Sequence, residues 1–492
     1  MFNLSGNKVN LVILFGLFLA AFSFLGIASL HVPPQASLDS AYYHIMVDQL
    51  EKGAGFTEPF IWHFLNDYQT IEHPMDYWMP LGIVFYYLVR LGFGASAEVW
   101  ANIFIWSLLS VFVFVEVAKV TGKRYVAAFA FLTMLFSGRF LFYVLTTDNI
   151  AFYALFGFIF FKQLGSKKSR WYFTSIAGGL AALMRIEGLL IAIWGGLFEF
   201  HKARTLKTLI GYFIVLVLVL SPWMIRNYRV LSDLWPSNSK ALFLQEYNDM
   251  FRRDVQLNPE HYFSMGGKAI FNQKLQGIWR SLLDFVAAPG LMVMYPLWLA
   301  GLLVLWKSSG RYFVLLLTFF LLFCGLVVPV QIAKGSAFHI SAFFFPFFTV
   351  FGGAGLGYVQ DHYRMTAKSC VVIILLVTVW SVCATFYSSV LLVNQYAFEN
   401  APYESMLARL SFAVHKIVSV APIKVYLESG APGVIGSSVD QWEPFRLADD
   451  YSCDAIIIDK RATDYQPLPE NIKWQEVASD TYLNVYFRKT AD

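Results

Sequence analysis

Long runs almost free of charge recur along this 492-residue chain, and they restrict the folds open to it. Hydrocarbon offers no water to an open backbone N–H or C=O, so such runs must be helices of about 20 residues. The clearest runs are Leu11–Leu30, Val99–Val120, Tyr125–Leu145, Ile150–Leu164, Leu209–Ile225, Leu291–Trp306, Tyr312–Val330, Ile340–Val359 and Cys370–Val393. A longer apolar stretch from Trp171 to Phe200 is broken by Arg185 and Glu187, which suits two short spans with a turn at Arg185-Ile186-Glu187-Gly188. Composition agrees: 57% of residues are hydrophobic and 14% charged, against roughly 25% charged in soluble domains. The first run, Val9–Leu30, exceeds a signal-peptide core and reads as a retained span.

Basic connectors orient the chain. Thr121-Gly122-Lys123-Arg124, Ser166–Arg170, His201–Arg204, Lys307–Arg311 and His362–Lys368 belong on the cytoplasmic side by the positive-inside rule. With the N-terminus inside, they all fall there only if the apolar segment Tyr77–Phe93 lies in the outer leaflet without crossing. The expected architecture is an all-α polytopic membrane protein of about eleven spans, N-terminus in and C-terminus out. Residues 1–393 form the transmembrane domain, with outer loops at Gln35–Glu98 and Asn227–Ala288. Residues 394–492 change character, and the alternation in Ile423–Leu427, Asp454–Asp459 and Tyr482–Lys489 predicts strands of a small α/β extracytoplasmic domain. Four cysteines, three in apolar runs and Cys453 alone outside them, make no disulfide framework. The net charge of +4 gives no ground for a nucleic-acid partner, and none is expected.

The unusual polar residues collect on the outer side. Asp39, Glu72, His73 and Asp76 lie in the first outer loop, and Asp148 stands at a span mouth in Thr146-Thr147-Asp148-Asn149. Arg185 and Glu187 form an outer turn, Arg226 ends a span, and Lys334 and His339 flank another. Any one of these taken alone reads as an interfacial anchor or a snorkelling base. Their gathering on one face from separate segments argues for function, because ionisable groups at membrane depth are costly. Asp39 opens Asp39-Ser40-Ala41-Tyr42-Tyr43-His44, and Ile45, Met46, Val47 and Leu50 follow at helical spacing. That pattern predicts an amphipathic helix along the membrane surface with Asp39 as its N-cap. A carboxylate so placed can take a proton from an acceptor hydroxyl or amine.

The segment Asp39–Phe56 resembles the first outer loop of the GT-C glycosyltransferases, most closely family 39, the protein O-mannosyltransferase and aminoarabinose lipid A transferase superfamily. Further matches follow in order. Glu72-His73-Pro74-Met75-Asp76-Tyr77-Trp78 is similar to that family's Glu-Lys-Pro-Pro-x-x-Tyr-Trp segment, with His73 in place of Lys. Thr147-Asp148-Asn149 resembles its second acidic motif, Gly179–Gly188 its Arg-Pro-Glu-Gly turn, and Ser221–Tyr228 its Pro-Trp-x-x-Arg-Asn span exit. The resemblance covers about residues 10–360 and rests on the ordered set, since no single motif has the specificity of a metal-ligand quartet.

The resemblance implies transfer of a sugar from a polyprenyl-phosphate donor to a glycan, lipid or protein acceptor, with inversion. It implies Asp39 as general base, and carboxylates such as Asp148 would meet the oxocarbenium-like charge. Arg185, Arg226, Lys334 and His339 are the cations available to the departing phosphate, which Arg can grip bidentately. Glu72, His73, Tyr77, Trp78 and Glu187 are candidates for sugar or acceptor binding, and Trp62, Tyr68, Trp235 and Tyr247 offer further rings. Most other aromatics read as belt or lipid-facing residues. A neutral His73 would not supply the fixed cation that Lys gives the family.

No cofactor is assigned. A divalent metal is an option if Asp39, Glu72, His73 and Asp148 converge, but their spacing alone does not show the oxygen cluster a hard cation needs. Three other readings compete. A transporter or flippase of lipid-linked saccharides would show repeats and midplane polar breaks, which this chain lacks. An O-antigen polymerase or ligase would place its key basic residues in a later loop, and a non-catalytic assembly subunit would not need one-sided acids and bases. The expected setting is a bacterial cytoplasmic membrane with the active site facing out.

Overall fold

The computed structural model describes residues 11–94, 97–166, 170–235, 240–288, 293–410, 415–436, 442–461 and 473–489. The chain divides into two compact units. The first gathers residues up to Pro34, Trp78–Arg226 and Asn272–Leu392, and the second gathers Gln35–Tyr77, Asn227–Phe271 and Val393–Asp492.

The first unit is helical. Among the described residues, six helices are long and apolar enough to cross a membrane: Leu11–Ser29, Ala97–Thr121, Leu206–Leu231, Trp306–Val327, Lys334–His362 and Ala367–Arg409. Shorter helices occupy the other predicted spans, at Arg124–Leu135, Ile150–Leu164, Trp171–Met184, Gly188–Ala203 and Tyr295–Val304. Leu81–Phe93 is also a helix. The chain is thus a multi-spanning membrane protein.

One predicted span is not continuous. Helix stops at Leu135 and resumes at Arg139, with Gly138 between them at a φ of 61° that a side chain would resist. The freed Gly138 N–H donates to Thr385 Oγ1 at 2.8 Å, so the break leaves no orphan donor there.

Helix Ala337–His362 is the spine of this unit, and its apolar stretch is enclosed by protein throughout. It packs on Tyr295–Val304, Ile150–Leu164, Ala97–Thr121 and Arg124–Leu135. Small residues permit the approach: a Cβ on Gly157 would lie 1.9 Å from the Phe343 carbonyl oxygen. Phe343, Phe344, Phe345, Phe347 and Phe348 are all buried, which corrects the expectation that such rings face lipid. Among close-packed helices they are core, filling the volume around the glycine contacts.

The second unit contains the predicted α/β fold, with eight short strands among the described residues. These are β1 (Thr57–Glu58), β2 (Phe60–Ile61), β3 (His73–Pro74), β4 (Ile417–Ser419), β5 (Gly433–Ile435), β6 (Ala455–Asp459), β7 (Trp474–Ser479) and β8 (Leu483–Arg488). β1 and β3 make an antiparallel ribbon, and the other six form one sheet in the order β2-β5-β4-β6-β8-β7. The first four strands of that order run parallel, and β8 and β7 are antiparallel additions. Alternation along β6 sorts the core. Ile456 and Ile458 join Phe64, Tyr68 and Phe445 on one side, while Ala455 and Ile457 join Tyr403, Met406 and Val425 on the other. Both faces are covered, as a parallel sheet requires.

Strands were correctly expected at 454–459 and 482–489, but Ile423–Leu427 lies in a helix, Pro422–Ser429. Pro422 starts it with the φ a first turn needs, and Gly430 ends it at a φ of 70°. Those two residues override the short alternation between them.

Replacing Gly157 with Leu should force the spine and its neighbour apart. We expect a loss of about 3 kcal/mol, the upper range for overpacking, seen as a lower unfolding temperature in detergent. Unchanged unfolding would mean that the two helices do not meet at this residue.

Candidate active site

In the first unit the Thr146–Asn149 turn is fixed from all sides. Tyr86 Oη donates to the Asp148 carbonyl at 2.6 Å, and Asn102 Nδ2 donates to the carbonyls of Asp148 and Thr146 at 2.8 and 2.7 Å. Thr147 N–H donates to the Pro34 carbonyl at 2.9 Å. Asp148 itself is fully buried, and its Oδ1 accepts from Ile150 N–H at 3.2 Å, in the first turn of the following helix. Asn149 Nδ2 donates to the Met184 carbonyl at 3.1 Å, which ties the acidic turn to the Arg185 turn.

Beside these bonds stands a buried ion pair, Arg90 Nε to Glu98 Oε1 at 2.6 Å, and Thr147 Oγ1 donates to Glu98 Oε2 at 3.3 Å. The sequence reading passed over both charges. The signal was there, because Arg90 is the lone charge inside an apolar helix and Glu98 opens the next one. A buried Arg is held only by a partner of this kind.

Arg185 is buried in the predicted turn, and its Nη2 meets Glu187 Oε1 at 3.4 Å. Arg185 and Arg139 both lie near enough to His339 for their charges to act on its imidazole. Arg139 was also missed. It starts the half-helix after Gly138, stacks over the Phe338 ring at 4.8 Å and reaches Tyr143 Oη at 3.3 Å. So this unit brings Asp148, Arg185, Glu187 and His339 into one neighbourhood and adds Arg139 to it. Arg226 lies over the Trp223 ring at 4.7 Å, in a helix that continues past it to Leu231. Lys334 is exposed in the irregular turn Ile332–Ser336, and Trp78 is half-buried.

In the second unit Asp39 is half-buried in the first turn of helix Leu38–Glu51. The N-cap is Ser37, not Asp39: Ser37 and Ser40 exchange the reciprocal bonds of a capping box. Asp39 lies within the first turn rather than at the cap. Its charge acts on Tyr247, whose phenol is pushed up to about 12 by burial first and by Asp39 second, so the hydroxyl keeps its proton at neutral pH. The apolar side of this helix is also not given to lipid. Ile45, Met46 and Val47 are buried, the helix packs on Pro422–Ser429, and Gln49 Nε2 donates to Tyr426 Oη at 2.8 Å.

Glu72 and His73, adjacent in extended backbone, point apart. Glu72 is exposed, whereas His73 is 6% exposed with Nε2 at 3.4 Å from Glu58 Oε2. The two side chains therefore face different surroundings. Glu58 and His73 are directly opposite in the β1–β3 ribbon, and Tyr42 Oη donates to Glu58 Oε1 at 2.5 Å. Burial pulls His73 down, but the Glu58 carboxylate outweighs it and leaves the imidazole above its usual value. Burial raises Glu58 against the opposing pull of His73. A second dyad, His63 Nε2 and Asp76 Oδ1 at 3.7 Å, stands across the Tyr68 ring, and Asp76 Oδ2 accepts from Tyr68 Oη at 2.7 Å. Glu58 with His73 and His63 with Asp76 thus stand as two dyads. Tyr77 is packed by ring contacts to Trp62 at 5.0 Å and His63 at 5.3 Å. Glu58 and His63 carried no periodic or motif signal and were not anticipated.

No protein-family model matches the chain, and no curated protein matches it by sequence. Solved structures do. The crystal structure of ArnT from Cupriavidus metallidurans in the apo state superposes with a TM-score of 0.55 at 13% identity, covering 96% of this chain and 97% of that one. The same protein bound to undecaprenyl phosphate gives 0.55 and 13%, with 97% and 98% covered. ArnT is an aminoarabinose lipid A transferase of GT-C type, so the fold expected from the ordered motifs is the fold found.

His63 gives this region a pH signature. Burial lowers its pKa from 6.5 to about 4, the charge of Asp76 notwithstanding. The folded chain then binds fewer protons than the unfolded one between those values. The stability this contributes is complete above about pH 6.5 and is lost as pH falls through about 4, a span worth about 3 kcal/mol. Unfolding temperature followed against pH should show a shallower acid limb in His63→Asn than in the parent. Identical limbs would place His63 in contact with water.

Proposed function

We propose that this protein is an integral membrane glycosyltransferase that moves a sugar from a polyprenyl-phosphate-linked donor to a glycan, lipid or protein acceptor. The observation that carries the proposal is the fold shared over 97% of the chain with a protein bound to undecaprenyl phosphate. The ordered motifs of the first outer loop, the Asp148 turn and the Arg185 turn add to it. The setting we assign is a bacterial cytoplasmic membrane, with the reaction on its outer face.

In this mechanism Asp39 accepts the proton of the acceptor's nucleophile as that atom attacks the anomeric carbon. The bond from that carbon to the phosphate oxygen breaks, the electron pair leaves with the lipid phosphate, and the configuration inverts. Arg185, assisted by Arg226, Lys334 and His339, would offset the charge gathering on the leaving phosphate, where a guanidinium offers two parallel donors. Asp148, excluded from water, would stabilise positive charge developing on the sugar ring. Two features suit Asp39 to its part. The capping duties of its helix fall to Ser37, and the neighbouring Tyr247 hydroxyl, neutral at physiological pH, does not repel its charge.

The test is transfer of label from a polyprenyl-phosphate sugar in reconstituted membranes. Asp39→Asn should keep the parent's unfolding temperature and lose turnover by about two orders of magnitude or more, as for a general base. Near-normal turnover in that variant would remove Asp39 from the reaction. Failure of every polyprenyl-phosphate sugar to donate would remove the donor class.

A further inference from the structure

Near the proposed base, three buried residues from separate segments form a chain of contacts. Tyr42 lies three residues after Asp39, one turn along the same helix. Its hydroxyl donates to Glu58 Oε1 at 2.5 Å, and Glu58 Oε2 faces His73 Nε2 at 3.4 Å. The far nitrogen of His73, Nδ1, lies 2.9 Å from the Ile71 carbonyl oxygen. Glu58 is fully buried, and among the described residues its Oε2 and the facing His73 Nε2 have no hydrogen-bond partner beyond this contact. Removing His73 would leave the buried Glu58 Oε2 without the group that faces it, and removing Glu58 would do the same to His73 Nε2. The Tyr68 ring, 3.9 Å from the His73 ring between centroids, closes the open side.

We propose that Tyr42, Glu58 and His73 form a buried strut that sets the position of Asp39. The inference rests on the reading of Asp39 as the base. Rigid-body logic supports it. A helix is stiff over one turn, so the bond that fixes Tyr42 in rotation and height fixes Asp39 as well. Glu58 and His73 hold that bond's acceptor, because they are a cross-strand pair in the β1–β3 ribbon and the ribbon is closed by Met75 N–H donating to the Phe56 carbonyl at 2.9 Å. His73 then serves as a positioning residue, and its charge is directed at Glu58 rather than at a donor phosphate.

The experiment uses the full-length protein in liposomes with a polyprenyl-phosphate sugar as donor. Tyr42→Phe and His73→Leu should each lower kcat about tenfold, as expected when a catalytic group is slightly misplaced, with the donor KM within about twofold of the parent. The double variant should be little worse than either single one, since both break the same strut. His73→Lys, which restores a cation opposite Glu58, should recover most of the kcat lost in His73→Leu. A raised donor KM with kcat intact in His73→Leu would place His73 on the donor and overturn the strut. Losses that simply add in the double variant would overturn it too. Amide hydrogen exchange gives a readout without turnover: Tyr42→Phe should speed exchange across Leu38–Glu51 and leave Ala337–His362 unchanged. If that exchange pattern appears while Asp39→Asn stays active, the strut stands and the assignment of Asp39 falls. If exchange in Leu38–Glu51 does not change, the strut falls whatever Asp39 does.

Discussion

The parallel pairing of Phe60 and Ile61 with Gly433 and Val434 is the contact on which the second unit depends. Two residues that follow helix Leu38–Glu51 become the edge strand of a sheet otherwise built from the end of the chain. Both side chains are fully buried, worth about 2 kcal/mol each in apolar burial alone. The pairing also protects β5, which would otherwise offer an open parallel edge. Other contacts follow from it: Tyr451 Oη donates to the Tyr68 carbonyl at 2.6 Å, and Phe64 N–H donates to the Met250 carbonyl at 2.7 Å. A loop that would be mobile by itself is thereby drawn into a core, and the helix carrying Asp39 acquires a rigid base.

The first unit solves a different problem, that of keeping polar groups inside a helical bundle. At Thr146–Asn149 the helix is interrupted, and an interruption among apolar helices exposes backbone groups at a cost of several kcal/mol each. Asn102 and Tyr86 meet that cost by donating to the open carbonyls. The same strategy recurs at Gly138 with Thr385. Each break places a charged residue, Asp148 in one case and Arg139 in the other, at a point where the helix would have continued with an apolar one. A span that is broken and then repaired by side chains is expensive to build, and it is the form in which a membrane protein presents an ionisable group from the backbone of a helix end.

How much of this was legible in the sequence differs by interaction range. The spans could be read because length and apolar content are local, and the Arg185 turn because two charges interrupt an apolar run. The Gly138 break was hidden, since Tyr125–Leu145 is apolar enough to look continuous and glycine in a span is common. At Ile423–Leu427 five alternating residues misled, where Pro422 and Gly430 bracket a helix. Glu58 and His63 left no mark because their importance comes from partners met only after folding. Phe343–Phe348 looked like lipid-facing residues for a related reason: hydropathy does not distinguish a side chain that meets lipid from one that meets another helix.

His73 stands where the motif that its segment resembles has Lys, and the two side chains differ in chemistry. A lysine carries a fixed, compact charge on a flexible stem, able to reach a mobile phosphate. Histidine is shorter and planar, and its charge depends on what surrounds it. Here what surrounds it is Glu58, directly opposite across the ribbon, and the Tyr68 ring. Burial alone would strip the imidazole of its proton, and the carboxylate reverses that tendency. The Glu58 carboxylate thus favours the protonated imidazole and faces it from within the ribbon, whereas an arginine such as Arg185 keeps its charge whatever its neighbours. In this chain His73 is the far end of a contact that begins one helical turn from the proposed base.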